Sequence, residues 1–526
     1  MDMSLLLSTR ATRVGTRWGS RRILRYAGSC VPLVFVWVSS TSARFGRVRI
    51  RHLPRSVLAV TLCAVLAAGL GNGAVTAQAE AGSREDGASG IGDPYWPLDG
   101  NGGIDVVSYR IHNRYALVSM RLAGRTAVRF TATADLSSFS LDFLLPVRKV
   151  TVDGLEARFS KAGSGHELRI TPSTVLPRGS RHTAVVTYAG KPATQSYAGE
   201  RNWLASTQEV VTMNQPHMAP WWFPANDHPL DKAVVDVRIT VPQGREVVSN
   251  GKLRGRRATR GGTTWHWRAD EPMVPYLAFF AAGDFTMAKG TRKGLPWLVA
   301  VSDQLPPAQQ RRSMRLMKIS PAVIDGLEKD LGDYPFSIVG GLTTSLAPGF
   351  ALENQTRPTY PALGFHYTSL VVHELAHQWF GDDIAVQGWR DIWLNEGFAT
   401  FMEWRWEETH GGPSGQEILL RTYDGSAPES TFWTVTVADP GADSIFDGAI
   451  YDRGAMTLQA LRNRVGDRVF WGIIRTWIDE QSGGNVSTEE FEETAERVSG
   501  QELTSFFTAW LRAPERPART ADNGLA

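Results

Sequence analysis

The run that decides the fold of this chain is residues 371–381, VVHELAHQWFG. If the run is helical, His373 and His377 are four positions apart and lie on one face, about one turn from each other. Their imidazoles can then converge on one zinc ion. Glu374 points to another flank of the helix, where its carboxylate can hold a metal-bound water without being a ligand.

A third ligand is available further along the chain. Residues 393–399 read WLNEGFA, and eighteen residues separate His377 from Glu396. This spacing suits a helix, a turn and a second helix packed against the first. The alternative is a helix with two solvated histidines and a surface acid. With only 11 His in the chain, two at ligand spacing favour the metal site instead.

The ligand set His373, His377 and Glu396 indicates a catalytic zinc, one per chain, because three protein ligands leave one position open. Zinc lowers the pKa of a bound water and polarises a carbonyl oxygen. Glu374 is then expected to take the proton of that water and to deliver it to a leaving amine. The pattern therefore predicts hydrolysis of an amide or a related acyl bond.

The charge balance argues against a nucleic-acid partner. The whole chain has a net charge of +3, but residues 1–79 contain eleven Arg, no Lys and a single acid. The remainder has 45 basic and 52 acidic residues, or about −7. The basic character therefore belongs to the leader, and the body of the protein is mildly acidic.

The leader predicts a secreted protein. Four arginines within residues 47–55 precede an apolar run at 57–70, which is followed by Ala77-Gln78-Ala79. This is the pattern of a signal peptide, at about residues 48–79, with cleavage after Ala79 and no stable membrane span afterwards. The alternative is an uncleaved anchor. An Arg-rich stretch ahead of the signal suggests that translation truly starts near Val48. The only cysteines, Cys30 and Cys63, lie in the leader, so we expect no disulfides in the mature protein.

Composition divides the rest into segments, since 526 residues exceed one core. Residues 80–94 are rich in Gly, Ser and acids and predict a flexible linker. Short alternating β-branched runs predict an N-terminal all-β domain over 95–290. Helical periodicity, beginning with a helix at Gln309–Leu331, predicts a mostly α domain over 291–513. Residues 514–526 are expected to be a disordered tail.

The metal pattern, with the sequence around it, resembles the gluzincin zinc aminopeptidases of the aminopeptidase N and leukotriene-hydrolase type. Residues 349–354, GFALEN, are similar to that family's Gly-Ala-Met-Glu-Asn segment, in which the Glu binds the substrate's free amino group. The resemblance assigns this role to Glu353 and places Gln215 beside it. Residues 450–455, IYDRGA, resemble the segment whose Tyr, here Tyr451, stabilises an oxyanion.

The resemblance covers roughly residues 95–512 and implies a multidomain α+β protein. Its expected parts are an N-terminal all-β saddle-like domain and a mostly α thermolysin-like catalytic domain, in a short secreted bacterial form that lacks the family's long helical-repeat domain. The implied substrates are peptides with a free N-terminus. Phe350, where the family usually has Gly, leaves open a thermolysin-like endopeptidase. A catalytically silent peptide-binding homologue is the third alternative.

Overall fold

The computed structural model describes residues 85–162, 165–363 and 367–526, which all belong to one compact unit. The signal peptide, the cleavage site and both cysteines lie outside these residues, as do residues 80–84 of the expected linker. Within the described part of the chain, no helix is both long enough and apolar enough to cross a membrane.

The first part is built almost entirely of strands, as predicted. The strand Ile104–Ala116 shows why, because its side chains alternate between buried and exposed positions along most of its length, as expected for a sheet with one covered face. The strands are β1 Glu85–Asp86, β2 Ile104–Ala116, β3 Arg121–Ala132, β4 Leu136–Asp142, β5 Val147–Val152, β6 Leu155–Glu156, β7 Arg158–Ala162, β8 Glu167–Thr171, β9 Arg181–Gly190, β10 Leu204–Ala205, β11 Val210–Val211, β12 Ala233–Val241, β13 Glu246–Ser249, β14 Lys252–Thr259, β15 Gly262–Met273, β16 Phe280–Gly283, β17 Phe285–Arg292 and β18 Leu295–Ser302.

These strands form a large sheet with smaller ones packed beside it. The eight-stranded sheet has the order β14-β15-β12-β2-β3-β9-β5-β6, in which only β12 and β2 are parallel. Two four-stranded sheets, β1-β4-β8-β7 and β10-β11-β16-β13, complete this part. One continuous hydrophobic core runs from these sheets into the helical part.

The second part is mostly helical, which confirms the expected order of an N-terminal β part and a C-terminal α part. Its helices are α1 Pro307–Met317, α2 Ser320–Leu331, α3 Thr368–Ala376, α4 Trp393–Thr409, α5 Gly415–Gly425, α6 Thr431–Thr434, α7 Gly448–Val465, α8 Asp467–Gln481, α9 Thr488–Ser499 and α10 Thr504–Phe507. Its short strands are β19 Val339–Thr343, β20 Thr359–Tyr360, β21 Ala385–Val386 and β22 Asn485–Val486.

Two expected boundaries differ from the observed ones. The predicted helix at 309–331 is two helices, α1 and α2, interrupted at residues 318–319, because Pro321 in the first turn of α2 has no N–H with which to continue α1. A domain boundary at residue 290 would divide β17. That strand pairs with β18, which is joined to β19 and β20 in one sheet.

The expected linker is folded from residue 85 onward, so that prediction is wrong for residues 85–94. Strand β1 pairs with β4, and Asp93 is buried. The carboxylate of Asp93 accepts hydrogen bonds from the backbone N–H groups of Tyr95 at 2.8 Å and of Trp389 at 3.2 Å. A polar composition suggested flexibility, but this acid satisfies backbone donors in both parts of the protein and holds the segment in place.

The expected disordered tail is also wrong. Leu525 is buried, the hydroxyl of Tyr423 donates to the carbonyl of Pro517 at 2.6 Å, and the indole N–H of Trp510 donates to the carbonyl of Asn523 at 3.1 Å. The tail is rich in Pro, Arg and Ala, and its few specific contacts left no periodic signal in the sequence.

Helices α4 and α7 cross at two glycines, and this crossing brings their functional residues together. A Cβ atom placed on Gly454 would lie 2.8 Å from the Cα of Gly397. Gly397 follows Glu396, and Gly454 lies one turn after Tyr451. The backbones must therefore touch for the carboxylate and the phenol to share one site.

We expect Gly454→Ala to lower the free energy of unfolding by about 1–3 kcal/mol, because the methyl group has no room between the two backbones. Gly472→Ala, in the interior of α8, is the control. Its Cβ would meet only the Val498 side chain at 3.8 Å, so we expect a gain of about 0.5–1 kcal/mol. Urea unfolding monitored by circular dichroism measures both variants, and equal effects would contradict the close crossing.

Candidate active site and metal centre

Two helices supply three potential metal ligands. His373 lies in the last turn of α3, and His377 continues that turn through a hydrogen bond from its backbone N–H to the carbonyl of His373 at 3.1 Å. Glu396 lies in the first turn of α4. All three side chains are buried among the apolar residues that flank them.

The three side chains converge on one point. Oε2 of Glu396 lies 3.4 Å from Nε2 of His373 and 3.2 Å from Nε2 of His377. Ligand atoms bound tetrahedrally to zinc at about 2.1 Å lie about 3.4 Å from one another. The donor set and its spacing therefore fit a zinc ion held by three protein ligands.

A second layer of contacts orients both imidazoles. Nδ1 of His373 lies 2.8 Å from Oε1 of Glu403, and Nδ1 of His377 lies 3.0 Å from the carbonyl oxygen of Phe380. Each contact leaves Nε2 facing the shared point, which is how ligand histidines are usually fixed. Glu403 was not predicted. It follows Glu396 by seven residues, two helical turns, and this spacing could have identified it.

The charges of the three ligands stabilise one another. Burial opposes ionisation of Glu396, but His377 and His373 outweigh it and lower the pKa of the carboxyl to about 2. Burial likewise lowers the pKa of His373, yet hydrogen bonds to Glu396 and Glu403 raise it well above 6.5. A positive charge is thus favoured at this point.

Glu374 follows His373 on α3, is 3 % exposed, and is close enough to His373 and His377 for their charges to affect its pKa. Burial raises its pKa to about 8, although His373 and His377 act in the opposite direction. A carboxyl group with a pKa near neutrality can both accept and donate a proton, which is what general acid–base catalysis requires.

Tyr451 lies in the first turn of α7, and its ring stacks near that of His373, with 6.1 Å between centroids and 25° between planes. Burial, followed by the charges of Glu396, Glu353 and Glu374, raises the pKa of the phenol well above 10. Tyr451 is therefore a neutral hydrogen-bond donor beside the metal ligands.

The acid expected to bind an amino group lies where the β part meets the helical part. Oε1 of Glu353 accepts hydrogen bonds from the hydroxyl of Tyr276 at 2.5 Å and from Nε2 of Gln215 at 3.1 Å. Gln215 and Tyr276 belong to the β part, and Tyr276 was missed because nothing in the sequence links it to a residue 77 positions away. Phe350, the residue that departs from the family pattern, is 44 % exposed.

The backbone around Glu353 is also fixed by hydrogen bonds. Nε2 of Gln378 donates to its carbonyl oxygen at 3.0 Å, while Oε1 of Gln378 accepts from the backbone N–H of Thr356 at 2.7 Å. Gln378 directly follows His377, so the zinc helix and the segment that carries Glu353 are positioned by one side chain. All seven predicted site residues thus lie in one region, and the structure adds Tyr276, Gln378 and Glu403.

Comparison with known proteins identifies the family. The chain matches the Peptidase M1 N-terminal domain over residues 107–277 and the Peptidase family M1 domain over residues 362–510. Together these matches cover more than half of the sequence.

Two curated relatives are aminopeptidases by name. The chain is 24 % identical to a probable aminopeptidase 1 of Sulfurisphaera tokodaii over 412 residues, which are 72 % of this chain and 49 % of the relative. It is 29 % identical to the glutamyl aminopeptidase of Rattus norvegicus over 340 residues, 59 % of this chain and 35 % of the relative. The chain thus spans from about a third to half of the length of these relatives.

A solved structure matches over its whole length. It is a mutant M1 zinc metallopeptidase from Deinococcus radiodurans bound to a Tyr-Ser-Ala substrate, with a TM-score of 0.72 and 25 % identity over 82 % of this chain and 100 % of that chain. Sequence, fold and the arrangement of two histidines and one glutamate lead to the same conclusion: the chain belongs to the M1 family of zinc peptidases.

Proposed function

We propose that this protein is a zinc aminopeptidase, secreted from the cell, that removes single residues from the amino termini of peptides. The observation that carries the proposal is the buried carboxylate of Glu353, which is close enough to His377 and Glu396 for their charges to affect one another's pKa. An acid at this place can pair with the ammonium group of a substrate. That pairing would put the first peptide bond beside the metal ligands.

The chemistry divides among five side chains. His373, His377 and Glu396 would hold the zinc, which when bound supplies a Lewis acid and lowers the pKa of a water molecule. Glu374, with its raised pKa, accepts the proton of the attacking water and donates a proton to the leaving amine. Tyr451, a neutral donor whose ring stacks near that of His373, would stabilise the carbonyl oxygen by a hydrogen bond as that oxygen gains negative charge.

Two other functions are compatible with parts of the site. A thermolysin-like endopeptidase needs the same zinc chemistry but does not need a buried acid to pair with the amino terminus of the substrate, and Glu353 therefore disfavours it. A silent peptide-binding homologue needs neither Glu374 nor Tyr451, and both are retained.

Secretion is the part of the proposal that rests on the leader pattern alone. We expect the protein produced by its natural host to appear in the culture medium and to begin at Glu80, because Ala77-Gln78-Ala79 is a small-x-small cleavage site. N-terminal sequencing measures this. A protein that stays with the cells and retains residues before Val57 would instead be anchored by its leader.

Glu374→Gln and Tyr451→Phe should each lower kcat by about 10²–10⁴-fold while leaving the metal content unchanged, because neither residue is a ligand in the proposed site. His377→Ala is the contrasting variant, and we expect it to lose both activity and metal. Steady-state kinetics with a leucyl fluorogenic substrate, together with elemental analysis of each purified protein, measures the two effects. Normal turnover by either of the first two variants would remove that residue from the mechanism.

Glu353→Gln should lower kcat/KM for peptides with a free amino terminus by about 10–100-fold, since a charged hydrogen bond contributes about 1.5–3 kcal/mol. The slow cleavage of amino-terminally acetylated peptides should not change, because these peptides carry no ammonium group. Glu480→Gln, which removes a surface acid paired with Arg497, controls for the loss of one negative charge. If the native enzyme cleaves acetylated and free peptides equally fast, the protein is an endopeptidase.

A further inference from the structure

A second group of potential ligands is buried in the β part, away from the proposed active site. Asp142 is the last residue of β4, and Glu167 is the first residue of β8. These two strands are antiparallel, and Asp142 and Glu167 are directly opposite each other. His166 precedes Glu167, and all three side chains are buried, with exposures of 0 % for Asp142 and His166 and 4 % for Glu167.

The ligand atoms of this group are spaced like those of the active site. Nδ1 of His166 lies 3.6 Å from Oδ1 of Asp142 and 3.4 Å from Oε1 of Glu167. The three ligand atoms all lie within 4.8 Å of one another, as they do for His373, His377 and Glu396. The spacing is close to the separation of about 3.4 Å expected for ligands of one zinc ion.

The group differs from ordinary buried polar clusters in its lack of hydrogen bonds. Among the described residues, no hydrogen bond of good geometry is made by Oδ1 of Asp142, by either ring nitrogen of His166 or by either carboxylate oxygen of Glu167, although Nδ1 of His166 is within ion-pair distance of both acids. Buried polar atoms are nearly always hydrogen-bonded, and each one left unpaired costs about 1–3 kcal/mol. One ligand atom from each of the three side chains lies within 4.8 Å of the other two, so a single bound cation could satisfy all three.

The group also brings several buried acids close together. Two carboxylates directly opposite on neighbouring strands repel each other, and here Asp142 is 0 % exposed and Glu167 is 4 % exposed. Asp227 adds a third buried acid, whose backbone N–H donates to Oδ2 of Asp142 at 2.6 Å and whose own Oδ2 has no partner in the described chain.

The nearest protein cations make their direct contacts with other groups. Nζ of Lys161 donates to the backbone carbonyls of Phe143 and Gly165, and no ion pair joins it to a carboxylate among the described residues. His217 contacts another acid, with its Nε2 2.5 Å from Oδ2 of Asp99. Among the described residues, the imidazole of His166 is therefore the one cationic group within ion-pair distance of Asp142 and Glu167.

We propose that Asp142, His166 and Glu167 bind a second metal ion, a divalent ion of the zinc class, which ties β4 to β8. An imidazole combined with carboxylates favours zinc and its neighbours over calcium and magnesium, which prefer oxygen ligands alone. The complete burial of the ligands assigns this ion a structural role. Both cysteines lie outside the described residues, and the metal would act in place of a disulfide within the β part. The expected content is then two metal ions per chain rather than one.

The test measures metal content and thermal stability of the full-length protein and two sets of variants. Asp142→Asn/Glu167→Gln keeps the shape of both side chains but removes their charge. We expect this variant to bind one metal equivalent fewer than the wild type and to melt several degrees lower. If the two acids merely share protons, the same change relieves repulsion, so that an unchanged metal content with an equal or higher Tm would overturn the proposal.

A second measurement does not depend on those substitutions folding. His373→Ala/His377→Ala disables the first site, and the stripped protein is titrated with zinc chloride alone. We expect Tm to rise and to saturate at one equivalent, and this rise should disappear when His166→Gln is added. If zinc does not raise Tm, the second site does not exist, whatever the active site binds.

Discussion

The contact on which this structure depends is the approach of one carboxylate to two imidazoles inside a helical core. Glu396 can be buried and ionised only because Nε2 of His377 lies 3.2 Å away and Nε2 of His373 lies 3.4 Å away. An isolated buried carboxylate would cost several kcal/mol. Helices α3 and α4 must therefore pack so that these groups meet, and the glycine crossing of α4 with α7 brings Tyr451 to the same place.

Burial and nearby charges also set the pKa values of the two other glutamates in the site apart from that of Glu396. Glu374 and Glu353 are as buried as Glu396, but the pKa of each is raised rather than lowered, because burial outweighs the nearby imidazoles. Three glutamates in one site are thus suited to three tasks: ligand, proton acceptor and partner of a cation. The β part contributes to this division, since Tyr276 and Gln215 hold the carboxylate of Glu353.

Sequence alone predicted the parts of the site that follow from local spacing. His373 and His377 lie four residues apart around the end of one helix, Glu396 is one helix–turn–helix away, and the short alternating runs predicted the β-rich first part. Contacts between distant segments were not predictable, as shown by the hydrogen bond between Tyr276 and Glu353 across 77 residues. Composition misled at Asp93 and Leu525, where a few specific contacts order segments that have no periodic pattern.

In the proposed function, Glu353 holds the substrate by its amino terminus, so that the first peptide bond lies beside the zinc ligands. The most direct measurement is a mass-spectrometric time course with an unblocked decapeptide of ten different residues and the purified protein. The account predicts a ladder of products, each shorter than the last by one amino-terminal residue, with free amino acids as the only other products. Internal fragments at the earliest times would contradict it.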